Sequence, residues 1–158
     1  MLFRSVTNAL ADSGFAPDRL ELEITESVLL HENEENLAVL YQLRDVGAAI
    51  VLDDFGTGYS SLSYLRMFPF DKLRIDKSFV NEISTRADCA AIVCAVIGMA
   101  KSLDITVTAE GIETEEQFGL LRAAGCMQVQ GDLFRHPVPA SEIAFSHEEK
   151  RRDKGRAA

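Results

Sequence analysis

Residues 51–61 read VLDDFGTGYSS, and this stretch decides the fold that the sequence predicts. An apolar run that begins at Ala49 ends here in two adjacent carboxylates, Asp53 and Asp54, and a glycine-rich loop follows them. A strand that is apolar on both faces is typical of a parallel sheet covered by helices. In parallel α/β folds, ligands bind at the carboxyl ends of the strands. The stretch therefore predicts a buried strand with functional side chains at its far end.

The rest of the chain repeats this order of strand and helix. Strand patterns fall at residues 20–25, 49–53, 72–75, 106–109 and 127–129, and helix patterns at 6–13, 34–46, 62–67, 87–102 and 115–124. Such alternation predicts a parallel α/β sheet, either open and doubly wound or part of a barrel. The open sheet would suit the length, but no GxGxxG or Walker sequence is present to support it.

Length and composition set the scale of the fold. The chain has 158 residues, of which 47% are hydrophobic and 26% are charged. These values indicate one medium globular domain, which we assign to residues 1–145. A complete (β/α)8 barrel needs about 250 residues, so a barrel built from this chain would be partial. Residues 146–158 contain almost nothing apolar and are predicted to form a charged, disordered tail.

An excess of acidic residues limits the partners. Sixteen lysines and arginines against 25 aspartates and glutamates give a net charge of −9. This charge repels phosphate backbones, so we do not expect binding to nucleic acid. The longest apolar run, residues 90–100, is about half the length of a membrane-spanning helix and predicts a helix buried on most sides. With no signal-peptide pattern either, the sequence predicts a cytoplasmic chain without a membrane segment.

Charged and polar side chains gather at the carboxyl ends of the predicted strands. They are Glu23, Glu26, Asp53, Asp54, Arg74, Asp76, Glu110 and Gln130. Carboxylates that meet at one rim need a cation between them, and their hard oxygens favour Mg²⁺ or Mn²⁺. Taken singly, each acidic residue also has a plainer interpretation, as a solvated strand residue, a cap or a turn residue. Their coincidence at several strand ends favours a metal site, in which Asp53 and Asp54 would suit a pair of ions.

Four segments carry a family resemblance. They are ELEITESVLL (21–30), VLDDFGTGYSSLSYLRMFPFDKLRIDKSFV (51–80), TAEGIETEEQFGLLRAAGC (108–126) and VQGDLF (129–134). Together they resemble the EAL-domain cyclic di-GMP phosphodiesterases over residues 2–143. The resemblance implies a modified (β/α)8 barrel with two Mg²⁺ or Mn²⁺ ions that hydrolyses cyclic di-GMP to linear pGpG. The fold expected here is a partial TIM-type barrel whose parallel strands correspond to its second half.

The resemblance also implies roles for individual residues. Glu23, Asp53 and Asp54 match metal ligands, with Asp53 bridging the two ions. Glu110 matches a carboxylate near the second metal that serves as a general base, and Gln130 a polar residue of the active-site water or metal shell. A loop that couples the site to dimer contacts is implied at residues 55–61, with its anchor at Glu26. The residues of this loop set are Glu26, Phe55, Gly56, Thr57 and Gly58.

Two departures from the family pattern bear on activity. The EAL motif, whose glutamate binds metal, is absent from the sequence, and a further asparagine ligand has no match. Arg74 stands where the family carries a lysine, and an arginine does not replace a compact ammonium at a tight site. We therefore expect a truncated domain that is weak or inactive alone. A partial barrel would also leave two strand edges unpaired, the one near Glu23 and the one near Gln130, which predicts self-association.

Three functions remain open at this point. The first is an EAL-type phosphodiesterase that acts on cyclic di-GMP. The second is a non-catalytic module that binds cyclic di-GMP or joins a protein partner through residues 55–61. The third, which rests on the strand-end carboxylates alone, is another Mg²⁺-dependent α/β hydrolase of phosphate esters.

Overall fold

The computed structural model describes residues 2–25, 34–56, 65, 68 and 70–143. A sheet of five parallel strands runs through these residues in the order β1-β2-β3-β4-β5. The strands are β1 (Glu21–Thr25), β2 (Ala49–Phe55), β3 (Lys72–Ile75), β4 (Thr106–Ala109) and β5 (Gln128–Val129). A doubly wound sheet reverses its strand order at a switch point, whereas a barrel wall adds strands in sequence order. The described sheet follows the barrel order, which confirms the α/β, partial-barrel prediction.

Helices alternate with these strands. They are α1 (Leu2–Ser13), α2 (Glu34–Asp45), α3 (Lys77–Glu82), α4 (Ala87–Ser102) and α5 (Glu115–Ala123), and 3₁₀ turns cover Pro17–Arg19 and Ala140–Glu142. The sequence analysis missed α3. Its signal was Asp76, whose carboxylate accepts a hydrogen bond from the Ser78 backbone N–H at 2.9 Å and so caps the helix. The predicted tail at 146–158 lies outside the described residues.

Helix α4 differs from its prediction in burial. The apolar run at residues 90–100 predicted a helix covered on most sides, but α4 buries one stripe, at Cys89, Val93, Ile97 and Ala100. The opposite face, which includes Ile92, is exposed. One stripe suffices because α4 packs mainly against β4 and α3. No helix in the described part of the chain has the length and apolar character needed to cross a membrane.

The core lies between the sheet and its helices. Ile50, Val51 and Leu52 of β2 are almost fully buried, and so is Leu73 beside them in β3. Burial on both faces explains why β2 has no polar residue before Asp53. The strand continues to Phe55, two residues beyond its predicted end, and Phe55 is itself 5% exposed and part of the core. Phe55 was predicted to lie in the loop because it belongs to the glycine-rich stretch that matches the family's loop.

A close backbone contact joins the segments that follow β4 and β5. The Ile112 N–H donates to the Gln130 carbonyl at 3.1 Å, and the Leu133 N–H donates to the Ile112 carbonyl at 3.0 Å. Gly131 lies between these bonds, directly against the backbone of Ile112. The absence of a side chain at Gly131 lets the two segments approach, and this contact fixes the outer end of the sheet.

Replacing Gly131 by alanine is expected to destabilise the fold, because a Cβ there would overlap the backbone nitrogen and oxygen of Ile112. We expect the free energy of unfolding to fall by at least about 2 kcal/mol in urea titrations. Gly119→Ala is the matched control, since Gly119 lies in α5 with open space around it. Alanine at that position should raise the free energy by about 0.5–1 kcal/mol. A Gly131→Ala protein as stable as the wild type would contradict the contact.

Candidate active site

Acidic side chains from neighbouring strands meet around a single arginine. Arg74, in the middle of the sheet on β3, places Nη2 at 2.6 Å from Oε1 of Glu23 on β1. Its Nη1 lies 3.0 Å from Oε1 of Glu110, directly after β4, and 3.9 Å from Oδ2 of Asp53 on β2. The Arg74 side chain is 14% exposed, which is less than for any of these three partners. Residues far apart in sequence thus converge on one point.

A break in the strand pairing positions the two aspartates. The register between β2 and β3 shifts between Leu52 and Phe55, so an irregularity of the β-bulge kind falls on Asp53 and Asp54. Asp54 adopts a left-handed backbone with φ 56°, a conformation that aspartate tolerates better than most residues. Its N–H donates to Oδ1 of Asp53 at 2.9 Å. The bulge interrupts the alternation that would send consecutive side chains to opposite faces.

The position of Glu110 depends on the glycine that follows it. Gly111 has φ +72°, and a Cβ at this residue would lie 2.7 Å from Cβ of Lys77. The backbone of the segment after β4 therefore lies against the start of α3, where only a glycine fits without displacement. The Glu110 N–H donates to the Ile75 carbonyl at 3.3 Å, which extends the β3–β4 pairing by one residue. These contacts hold the carboxylate beside Arg74.

The charges at this rim shift the pKa values of one another. Burial raises the pKa of Glu110, and repulsion from Asp53 and Glu23 adds to this, while Arg74 opposes it. Burial also raises the pKa of Asp54, with further contributions from Asp53 and Asp76. For Arg74, burial acts to lower the pKa, but the hydrogen bond to Glu23 and the surrounding carboxylates raise it overall. Arg74 is therefore held firmly in its charged form.

The structure brings most of the predicted site residues together. Glu23, Asp53, Glu110 and Arg74 share one ion-pair cluster, and Asp54 lies within electrostatic reach of it. Gln130 follows β5 with an exposed side chain, and its N–H donates to the Ala109 carbonyl at 2.9 Å. Of the predicted loop set, Gly56 follows β2 directly. Glu26, Thr57 and Gly58 lie outside the described residues.

Two contributors at this end of the sheet were not assigned roles from the sequence. Asp76 was noted only as a strand-end carboxylate, and the hydrogen bonds of its cap hold the pKa of Asp76 below its usual value despite partial burial. Phe79 of α3 lies against the backbone after β2, since a Cβ at Gly56 would be 3.0 Å from Cε2 of its ring. The serine two residues after Asp76 was a usable signal for the cap. Nothing in the sequence pointed to Phe79.

The donor set has the chemistry of a divalent-cation site. Glu23, Asp53, Asp54 and Glu110 offer carboxylate oxygens, which Mg²⁺ and Mn²⁺ prefer. Within the described residues, however, no three His, Cys, Asp or Glu side chains are arranged to hold a metal ion. The cation between the carboxylates is instead the guanidinium of Arg74. The residues fit a metal by their chemistry, and the arginine occupies the position between them.

Comparisons with known proteins agree with this geometry. The family model described as the EAL domain matches residues 2–137. The bifunctional diguanylate cyclase/cyclic di-GMP phosphodiesterase MucR of Pseudomonas aeruginosa is 43% identical over 145 residues, which are 92% of this chain and 21% of MucR. The solved complex of the PaMucR phosphodiesterase with c-di-GMP aligns with a TM-score of 0.86 at 43% identity, over 90% of this chain and 58% of that chain.

A second solved structure, the manganese/c-di-GMP complex of BlrP1 from Klebsiella pneumoniae, aligns with a TM-score of 0.79 at 37% identity. The alignment covers 84% of this chain and 34% of that chain. The chain spans 16–22% of the length of the curated relatives that it matches. The match to the family model covers the described sheet and the cluster around Arg74. The chain belongs to the EAL domain family.

Proposed function

We propose that this chain forms part of a phosphodiesterase site that hydrolyses cyclic di-GMP to linear pGpG with divalent metal ions. The observation that carries the proposal is the convergence of Glu23, Asp53 and Glu110 from separate strands on one point. Attack on a phosphodiester builds up negative charge on the phosphate oxygens. Divalent cations offset this charge, and the cluster of carboxylates would hold those cations. The c-di-GMP complexes of PaMucR and BlrP1 support the choice of substrate.

The roles that we propose combine the family resemblance with the chemistry of each side chain. Glu23, Asp53 and Asp54 would hold Mg²⁺ or Mn²⁺. Bound ions of this kind lower the pKa of a coordinated water and offset charge on the phosphate. Glu110, whose Oε1 forms an ion pair with Nη1 of Arg74 at 3.0 Å, would accept the proton of the attacking water. Arg74 would donate to a phosphate oxygen and Gln130 would contact the water or metal shell.

The ligand set carried by this sequence is incomplete by the family pattern. The sequence holds no EAL motif and no match to the further asparagine ligand. Each missing ligand weakens metal binding, and a metal that binds weakly activates its water for only part of the time. We therefore propose that this chain alone hydrolyses cyclic di-GMP weakly or not at all.

Asp54→Asn is expected to lower Mn²⁺ affinity, and any hydrolysis of cyclic di-GMP, by at least about tenfold, because it removes a ligand charge. Asp104→Asn is the matched control. Asp54 and Asp104 both have positive φ, which asparagine tolerates, and Asp104 precedes β4 at the opposite end of the sheet. Calorimetric titration with Mn²⁺ and chromatography of pGpG measure the two effects. The assignment of Asp54 as a metal ligand would be contradicted if both variants lost Mn²⁺ affinity equally, or if neither variant lost any.

A second candidate function is a non-catalytic module that binds cyclic di-GMP. The guanidinium between the carboxylates favours it, because this arrangement presents a cation without a metal ion. Arginine also binds phosphate oxygens through two parallel hydrogen bonds.

Calorimetry with cyclic di-GMP in Mn²⁺ and in a chelator separates the two candidate functions. Nucleotide binding that persists in the chelator, without pGpG formation in Mn²⁺, is the outcome expected of the binding module. Nucleotide binding that requires Mn²⁺, with pGpG forming slowly or not at all, is expected of this part of a phosphodiesterase site. A chain that binds no nucleotide in either condition would contradict both functions.

We further propose that the chain self-associates along β1. This strand is outermost in the described sheet, and an apolar groove beside it is lined by residues of α1 together with Phe15 and Leu22. An exposed edge strand with an apolar neighbour favours pairing with a second copy.

Sedimentation velocity over a concentration series tests this association. The average mass should rise with concentration in the wild type. Phe15→Ser should weaken association, because Phe15 is 42% exposed in the groove. Met127→Ser is the control, since Met127 is 88% exposed next to β5 at the other edge. A monomer at every concentration would contradict the proposal. A larger effect of Met127→Ser than of Phe15→Ser would also contradict it, because the association would then involve the β5 edge and not β1.

A further inference from the structure

Arg74 is the most buried charge of the cluster that it holds together. Its side chain is 14% exposed, against 45% for Glu23, 29% for Glu110 and 20% for Asp53. The carboxylates reach it from both sides of β3, since β1 and β2 lie on one side and β4 on the other. A divalent cation that used these carboxylates would have to share the same small volume. Two cations do not fit there without strong repulsion at short range.

The hydrogen bonds of the guanidinium are incomplete. Nη1 and Nη2 face carboxylate oxygens, but the buried Nε finds no hydrogen-bond partner among the described residues. A buried donor without a partner loses its hydrogen bond to water and is destabilising. The surroundings therefore do not cradle the whole guanidinium, and charge attraction to the carboxylates is what holds it in place.

Arginine and lysine would differ in how they occupy a position between carboxylates that also bind a divalent cation. The guanidinium is planar, always charged and binds carboxylates through a rigid fork. An ammonium on a flexible stem is a compact point charge that moves aside more easily. By this difference, an arginine at position 74 would yield the carboxylates to another cation less readily than a lysine would.

From this geometry we propose that Arg74 is a built-in counter-ion that competes with a divalent cation for Glu23, Asp53 and Glu110. Metal binding then requires the guanidinium to leave the cluster, and the residue at position 74 sets the metal affinity. The inference rests on the proposed metal-dependent function, but its test measures binding and stability and does not depend on hydrolysis.

The test compares Mn²⁺ affinity, by calorimetry on the full chain, in wild type, Arg74→Lys and Arg74→Gln. We expect the Kd for Mn²⁺ to tighten at least about tenfold in both variants, a change of the size that outer contacts of metal sites produce. Arg44→Gln is the control, because Arg44 pairs with Asp71 at 3.6 Å at the other end of β3. It should leave the Kd unchanged.

Thermal unfolding supplies the second readout. Without metal, Arg74→Gln should unfold at a lower temperature than wild type, since its carboxylates lose their counter-ion, and Mn²⁺ should raise its midpoint more than that of wild type. Arg74→Lys keeps a charge at this position and carries the affinity comparison where Arg74→Gln does not fold. Wild type that binds Mn²⁺ as tightly as both variants would overturn the inference and leave the proposed function intact. If wild type and both variants are folded and none of them binds Mn²⁺, the inference and the proposed metal-dependent function are both overturned.

Discussion

Carboxylates that meet at the carboxyl ends of neighbouring strands cannot all stay ionised unless a cation lies between them, and the rest of this site depends on that constraint. Glu23, Asp53 and Glu110 come from the first, second and fourth strands of the described sheet, and Arg74 supplies the cation from the third. Their mutual repulsion in a partly buried place would otherwise oppose folding. The arginine changes that repulsion into attraction, and it does so from the centre of the sheet, where its backbone is fixed by strands on both sides.

The parallel arrangement explains how so few residues build the cluster. In a sheet whose strands follow sequence order, each strand contributes side chains at neighbouring positions of one rim. β1 pairs with β2 so that Glu23 lies beside Val51, and β3 pairs with β4 so that Arg74 lies beside Thr108. The bulge at Asp53 and Asp54 then departs from this regular pattern where two consecutive carboxylates are needed. Regular pairing aligns the strand ends at one rim, and the bulge changes the backbone at Asp53 and Asp54.

Most of the sheet could be predicted from the sequence, because its strands are short apolar or alternating segments that helix patterns separate. β3 and β4 begin and end at the predicted residues, and the members of the ion cluster were all candidates. What the sequence could not supply was the arrangement inside the cluster. The side chain of Arg74 could have extended to solvent, and only its distances to three carboxylates place it in the centre. The end of β2 was misplaced because the glycines after Phe55 indicated a loop, whereas Phe55 continues the strand into the core.

The net charge of the cluster determines how strongly Arg74 competes with a divalent cation for the carboxylates. With Asp54 nearby, four carboxylates face one guanidinium, so a negative surplus remains after the ion pairs have formed. A guanidinium that fully neutralised the cluster would remove its attraction for other cations, but this one leaves enough charge to attract a divalent ion. Many metal sites of clustered ligands are poorly folded without their ion, because nothing else offsets the repulsion. With an arginine in the cluster, folding depends less on a bound metal ion. The protein keeps a folded, metal-free site, and the energy needed to displace the guanidinium is subtracted from the affinity for the metal.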